Sequence, residues 1–203
     1  MSKNLIIPPD PVDPVARMVP LLLRLALYVF LTVILIQAIP VTYSYDPFEE
    51  WPRLFWLIRT IIFLPLHEGG HFLFMFFGRT LHVIGGSFWQ IMFPVLWFAI
   101  AMKQKSQVAP FPLFWVGENM MDVSLYIRDA QDMVIPLLGG RKSGHDWHYL
   151  LTKWDWIDSC QEIADVVFFL GLIIAIAAII FGIGWAVAAY RESGKPQAPR
   201  VLA

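Results

Sequence analysis

The stretch LFWLIRTIIFLPLHEGGHFLFMFFG, residues 54–78, decides the fold of this chain. It is long enough to cross a bilayer, because a transmembrane helix needs about 20 predominantly apolar residues. Its second half nevertheless carries His67, Glu68 and His71. On an α-helix the two histidines lie one turn apart on the same face, so both imidazoles reach one point. The stretch therefore predicts a membrane-spanning helix that holds a polar site.

The composition of the whole chain also predicts a membrane protein. Of its 203 residues 58% are hydrophobic and 15% are charged, whereas soluble domains carry about 25% charged residues. The formal net charge is −1 and no basic run stands out, which argues against a nucleic-acid partner. Cys160 is the only cysteine, so the chain has no intrachain disulfide and no cysteine-rich metal cluster. We expect an integral protein of the lipid bilayer, in the cytoplasmic (inner) membrane of a bacterium.

Apolar stretches before and after residues 54–78 complete an all-α transmembrane fold. About five membrane-spanning helices are predicted, at about residues 18–41, 54–78, 81–102, 108–127 and 163–190. The fourth span is the weakest, because it contains Glu118, Asn119 and Asp122. In the third span the pair Gly85-Gly86 predicts a bend or a short hairpin.

The polar segments set the expected domain organisation. An interfacial segment is predicted between the fourth and fifth spans, because its tryptophans favour the headgroup level of a membrane. The chain then divides into an extended tail (1–17), a membrane domain (18–128) with a three-helix metal-binding core (54–127), the interfacial segment (129–160), a C-terminal transmembrane helix (161–190) and a tail (191–203).

The pattern H-E-x-x-H at residues 67–71 predicts a zinc site. Neutral imidazoles bind Zn²⁺, and a catalytic zinc site has three protein ligands and leaves one position for water. Glu68 follows the first histidine and is the expected general base, which takes a proton from that water. Three ionisable groups inside a bilayer span are costly and need partners, which favours a functional site over a chance match.

Asp122 is the predicted third metal ligand. If the second and fourth spans run parallel, His67 and Asp122 both lie ~20 Å along their helices, at about 1.5 Å per residue. A carboxylate at that depth is costly unless it has a partner. The alternative partner is a cation such as Arg59, and a position near the interface is a further alternative.

These residues resemble the site-2 protease family of intramembrane zinc metallopeptidases. That family joins an H-E-x-x-H helix to a later helix with an Asn-Pro-x-Asp-Gly motif, whose aspartate completes the zinc site. Asn119 and Asp122 keep the Asn-x-x-Asp spacing, whereas Met120 and Val123 stand where the family has proline and glycine. The resemblance covers about residues 54–127 and implies that Asn119 hydrogen-bonds a bound carbonyl group or oxyanion. Helix capping or packing is an equal alternative for this side chain.

Other polar residues are weaker candidates. Glu118 is a possible hydrogen-bond partner of a histidine N–H, with an interfacial position as the alternative. Gln90 is a possible neighbour of the site, or a residue that pairs with another helix. A second cluster, His145, Asp146 and His148, suggests a lid or a separate metal site, but a solvated loop is favoured there.

The expected function is hydrolysis of peptide bonds in a membrane-embedded protein substrate, with Zn²⁺ as the cofactor. The alternative is a zinc-containing structural or regulatory subunit of a larger membrane complex, which partner subunits would surround. The missing proline and glycine favour that alternative, as do the small residues Gly171, Ala175, Gly182 and Ala186. A haem site is disfavoured, because two histidines one turn apart on one helix cannot ligate opposite faces of a haem.

Overall fold

The computed structural model describes residues 5–7, 13–44, 51–135, 144–195 and 200–202. The described part of the chain is helical, apart from a short antiparallel pairing of strand β1 (Leu5–Ile7) with strand β2 (Arg200–Leu202). The helices are α1 (Pro14–Tyr43), α2 (Arg53–Ile58), α3 (Leu64–Phe74), α4 (Arg79–Lys103), α5 (Pro110–Arg128), α6 (Asp146–Lys153) and α7 (Cys160–Glu192).

Helices α2 and α3 form one rod, because a π-helical turn, Arg59–Phe63, joins them without a break. Pro65 explains the widened turn. Proline has no N–H to donate and its ring clashes with the carbonyl four residues earlier. The backbone N–H of Leu64 instead bonds to the carbonyl of Arg59. Such π-helical turns often mark functional sites, and here the turn ends at Phe63, about one helical turn before His67.

Helix α5 lies in the centre of the bundle and packs against α1, α4 and α7. It meets α7 at two glycines. A Cβ atom on Gly117 would lie 2.5 Å from the carbonyl oxygen of Gly171, and one on Gly171 would lie 2.7 Å from that of Gly117. The small residues of α7 are therefore buried inside this chain. They no longer support the interpretation of this helix as a docking surface for a partner subunit.

Four helical segments within the described residues are long and apolar enough to cross a membrane: Pro14–Tyr43, Arg53–Phe77, Arg79–Lys103 and Ile157–Glu192. They correspond to the first, second, third and fifth predicted spans, so the all-helical fold is confirmed, and its four long apolar helices are consistent with a membrane protein. The fourth predicted span forms α5, but α5 is not among these four, so the count of five stays a prediction. The expected bend at Gly85-Gly86 is wrong, because α4 continues through both glycines.

Candidate metal centre

Both histidines of the H-E-x-x-H pattern lie on α3, where α3 packs tightly against α4. A Cβ atom on Gly70 would lie 2.2 Å from the carbonyl oxygen of Gly85, so only glycine permits this approach. The contact brings His71 beside His82. The Nδ1 of His71 lies 2.8 Å from the carbonyl oxygen of His82, and the Nδ1 of His82 lies 2.9 Å from the carbonyl oxygen of His71. Two reciprocal hydrogen bonds therefore fix α3 against α4 at this level.

Three ligand-type atoms converge beside this contact. The Nε2 atoms of His67 and His71 lie 3.0 Å apart. The Oδ2 atom of Asp146 lies 2.9 Å from Nε2 of His67 and 3.1 Å from Nε2 of His71. Ligand atoms at ~2.0–2.1 Å from a tetrahedral zinc ion lie roughly 3.3 Å from one another. The triangle is slightly smaller than the face of a zinc tetrahedron, and two imidazoles with one carboxylate are a typical zinc ligand set.

The hydrogen bonds at Nδ1 determine which atoms face the triangle. A carbonyl oxygen only accepts, so the Nδ1 of His71 must donate to His82 and its Nε2 is free to bind a metal. His67 Nδ1 lies 3.2 Å from the Oε1 atom of Gln90, which also only accepts. Two neutral imidazoles then point lone pairs at a carboxylate oxygen. That arrangement requires a cation between them, either a metal ion or protons that the imidazoles gain at Nε2.

A buried chain of polar side chains orients His67. Arg59 Nε donates to Oδ1 of Asp122 over 2.7 Å, and Gln90 Nε2 donates to Oδ2 of Asp122 over 2.8 Å. Since its amide nitrogen is held by Asp122, Gln90 must present its oxygen to His67. Metal-binding histidines usually donate their second ring N–H to such an acceptor, which fixes the tautomer and the ring orientation.

The prediction of Asp122 as the third ligand conflicts with this geometry. Its carboxylate is occupied by Arg59, the alternative partner considered above, and by Gln90. Within the described residues, the group whose ligand atoms lie close enough together to hold a metal ion is His67, His71 and Asp146. Asp122 approaches the histidines only through Gln90, whereas the carboxylate of Asp146 lies directly beside both of them.

Hydrogen bonds fix the start of α6, and this positions Asp146 beside the two histidines. His145 caps α6: its Nδ1 accepts from the backbone N–H of His148, and its Nε2 lies 3.2 Å from Oδ2 of Asp129. The indole N–H of Trp147 donates to the hydroxyl group of Ser87 on α4. The expectation of a solvated loop is therefore wrong for this cluster. His145 is 2% exposed, and His148 is bound to the carbonyl oxygen of Ala130.

The electrostatics of Asp146 suit a metal ligand. Burial raises the pKa of its carboxyl group, but the hydrogen bonds and charge interactions with His67 and His71 outweigh burial and hold the pKa below its usual value. The backbone N–H of Asp146 also donates to the hydroxyl oxygen of Tyr126, whose ring packs against His67. The carboxylate is therefore ionised, which is the form that binds a metal.

Glu68 differs from the histidines in its surroundings. It is exposed, and it forms no ion pair or hydrogen bond with any residue that the structure describes. Its charge acts on His71 and on Tyr126, so it lies within electrostatic range of the triangle. A Cβ atom on the next residue, Gly69, would meet no atom within 4 Å. The carboxylate of Glu68 is therefore free among the described residues, and the backbone beside it is open.

The remaining candidates have separate surroundings. Glu118 is 1% exposed, and in the described part of the chain its carboxylate oxygens have no hydrogen-bond partner. The Nδ2 of Asn119 donates to the carbonyl oxygen of Trp115. Neither side chain reaches the triangle. Gln90 is the one candidate of this group that contacts a histidine of the site.

Sequence analysis missed two residues of the site, Asp146 and His82. A signal for Asp146 existed, since His145, Asp146 and His148 form a cluster of metal-ligating residue types, but the sequence suggests for them only a lid or a separate metal site. No comparable signal marked His82, because its role depends on the close contact between α3 and α4. Comparison with protein-family models, curated proteins and solved structures finds no match to this chain. The function is therefore inferred from the residues of this chain.

Replacement of Gln90 by methionine is expected to weaken Zn²⁺ binding about 10–100-fold, because His67 loses the acceptor that fixes its tautomer. The measurement is a competition titration of the purified protein with a chromogenic zinc chelator. Gln104→Met is the matched control, because Gln104 is exposed at the end of the same helix. Equal weakening in both variants, or in neither, contradicts the orienting role of Gln90.

Proposed function

We propose that this chain is a membrane-embedded zinc metallopeptidase, in which His67, His71 and Asp146 hold the metal and Glu68 is the general base. The observation that carries the proposal is the triangle of two Nε2 atoms and one carboxylate oxygen, with separations of 2.9–3.1 Å. The H-E-x-x-H pattern supplies two of these ligands and the base in the arrangement that zinc metallopeptidases use.

The number of ligands supports a catalytic site over a structural one. Structural zinc sites are closed by four protein ligands, whereas catalytic sites have three and leave one position open. In the described part of the chain the cluster contains three. Zinc bound there would act as a Lewis acid and would lower the pKa of a coordinated water molecule to about 7.

The residues around the metal have separate roles in this proposal. Glu68 accepts a proton from the attacking water and later donates it to the leaving amine. Gln90, Asp122 and Arg59 hold the ring of His67, and the carbonyl oxygen of His82 holds the ring of His71. The open space beside Gly69 leaves room for an extended peptide next to the base. A helical substrate must first unwind, because its carbonyl groups are otherwise hydrogen-bonded within the helix.

The small residues of α7 no longer favour the alternative of a structural or regulatory subunit. The small residues of α7 pack against α5 and α1 of the same chain: Gly171 lies against Gly117, and Gly182 lies against the ring of Tyr28. A free carboxylate beside the ligands is expected in an enzyme, whereas a subunit with only a structural role does not need it.

Replacement of Glu68 by glutamine tests the proposed role of Glu68 as the general base. The variant is expected to bind zinc as wild type does, because Glu68 is not a ligand, and to lose hydrolysis by at least about 100-fold, because general-base catalysis contributes that much. Zinc content is measured by elemental analysis, and hydrolysis by mass spectrometry of model transmembrane peptides in lipid nanodiscs. Loss of zinc from this variant would show that Glu68 is a metal ligand. Undiminished hydrolysis would show that Glu68 is not the general base.

A further inference from the structure

A cavity of about 250 Å³ lies between the α2–α3 rod, α4 and α5. Its wall is apolar, half of its residues are aromatic, and it contains one amide group. The wall includes Leu66, Phe93, Trp97, Phe111, Trp115 and Asn119. The cavity is large enough for an aromatic group, because a cavity of about 150 Å³ holds benzene. It is smaller than the ~300 Å³ lower bound for drug-sized ligands. The size suits one bicyclic or substituted aromatic ring.

Among the described residues, the oxygen of the single amide in the wall accepts no hydrogen bond. Asn119 is 1% exposed, and its Oδ1 atom has no hydrogen-bond partner among the residues that the structure describes. The amide cannot be turned round, because its other end faces the carbonyl oxygen of Trp115 and must therefore be the NH₂ group. A buried acceptor without a donor is costly. A water molecule needs two to four polar partners, and this wall offers it one amide.

The cavity opens toward the lipid-facing surface. Three residues of its rim, Ile62, Phe93 and Trp97, are 40–42% exposed, and all three lie on helices that are long and apolar enough to span a membrane. A group that enters therefore comes from the hydrocarbon layer. An acyl chain would fill the space but carries no donor, so Asn119 would stay unpaired.

The cavity lies next to the metal centre. Leu66 directly precedes His67 in the chain. Pro94 of its wall is one helical turn from Gln90, and Asn119 is one turn from Asp122. One turn of helix is about 5.4 Å. On each of the three helices, the residue in the cavity wall is therefore within about one turn of His67, Gln90 or Asp122. Neighbouring residues of one peptide can span this distance.

We propose that this cavity binds an aromatic ring with one N–H or O–H donor, which a membrane-embedded peptide presents as the side chain of tryptophan or tyrosine. The ring stacks among the aromatic residues of the wall, and its donor bonds to Oδ1 of Asn119. The donor is on the ring itself because Asn119 is buried, beyond the reach of a backbone outside the cavity. The assignment to a substrate peptide rests on the proposed function, whereas the binding of the ring does not.

The ring site is tested with 5-fluoroindole and 5-fluoro-1-methylindole, which differ in the N–H donor. Binding to the full chain in lipid nanodiscs is followed by ¹⁹F NMR. Wild type is expected to bind 5-fluoroindole about tenfold more tightly, because the methylated ring leaves the acceptor unpaired. Asn119→Ala is expected to remove the preference. Equal affinity of wild type for the two rings overturns the proposal.

A matched pair of variants tests the location. Ile62→Trp places a large ring at the rim and is expected to abolish binding. Ile61→Trp introduces the same ring at the neighbouring position, which is exposed and is not part of the wall, and is expected to bind as wild type does. Unchanged binding in Ile62→Trp places the ligand elsewhere and overturns the proposal, whatever the Asn119 variant does.

Two model transmembrane peptides test the substrate, one with a single tryptophan and one with leucine at that position. Cleavage of the tryptophan peptide is expected to be about tenfold faster in wild type, with the difference lost in Ile62→Trp. Equal cleavage of both peptides leaves the peptidase intact and overturns the cavity as a substrate site. If neither peptide is cut while the indole preference persists, the ring site stands and the peptidase proposal fails.

Discussion

Replacement of Asp146 by alanine is expected to weaken Zn²⁺ binding by more than about 100-fold, since even residues that only orient a ligand change affinity 10–100-fold. The Nε2 atoms of His67 and His71 remain, but two ligands do not make a stable zinc site. Asp122→Ala is expected to weaken binding less, because Asp122 acts on the site only through Gln90. Competition titrations with a zinc chelator measure both variants.

This comparison separates the two assignments of the third ligand. If Asp122→Ala abolishes binding while Asp146→Ala has little effect, Asp122 is the ligand, as the sequence predicts. Asp132→Ala is the control, because Asp132 is exposed and forms no ion pair or hydrogen bond with the described residues. Circular dichroism distinguishes loss of a ligand from unfolding. This matters for Asp122, because loss of one partner from a buried ion pair costs about 3–5 kcal/mol.

Replacement of Gly86 by alanine is expected to abolish zinc binding while the helices stay folded. A Cβ atom there would lie 2.7 Å from the Nε2 atoms of both His67 and His71. These atoms are the ends of side chains, so the rings turn away and the backbone keeps its place. The triangle is then lost, which elemental analysis detects as loss of zinc.

Gly69→Ala is the matched control, because a methyl group there meets no atom within 4 Å. It is expected to retain zinc and to stabilise α3 slightly, since alanine is favoured over glycine within a helix by about 1 kcal/mol. Gly70→Ala completes the series. Its methyl group would lie 2.2 Å from the carbonyl oxygen of Gly85, so it is expected to separate α3 from α4 and to lower the melting temperature. Retention of zinc by Gly86→Ala contradicts the proposed metal position.

The sequence by itself determined the helices and the histidine pair. Apolar length predicts α1, the α2–α3 rod, α4 and α7, because a membrane span is a property of about 20 consecutive residues. The convergence of His67 and His71 is equally local, since helical periodicity places residues four apart on one face. The resemblance to site-2 proteases rests on this local pattern and remains a proposal for the function.

Only the tertiary structure decided which carboxylate lies beside the histidine pair. Depth along a helix predicts Asp122 near His67, and Gln90 joins the two side chains, but depth does not give the rotation of α5 about its axis. That rotation turns Asp122 toward Arg59 and Gln90. Asp146 is 79 residues from His67, and its arrival depends on the bonds that hold the start of α6. A sequence pattern records spacing along one helix, which brings His67 and His71 together on α3, whereas the arrival of a carboxylate from another helix is set by packing.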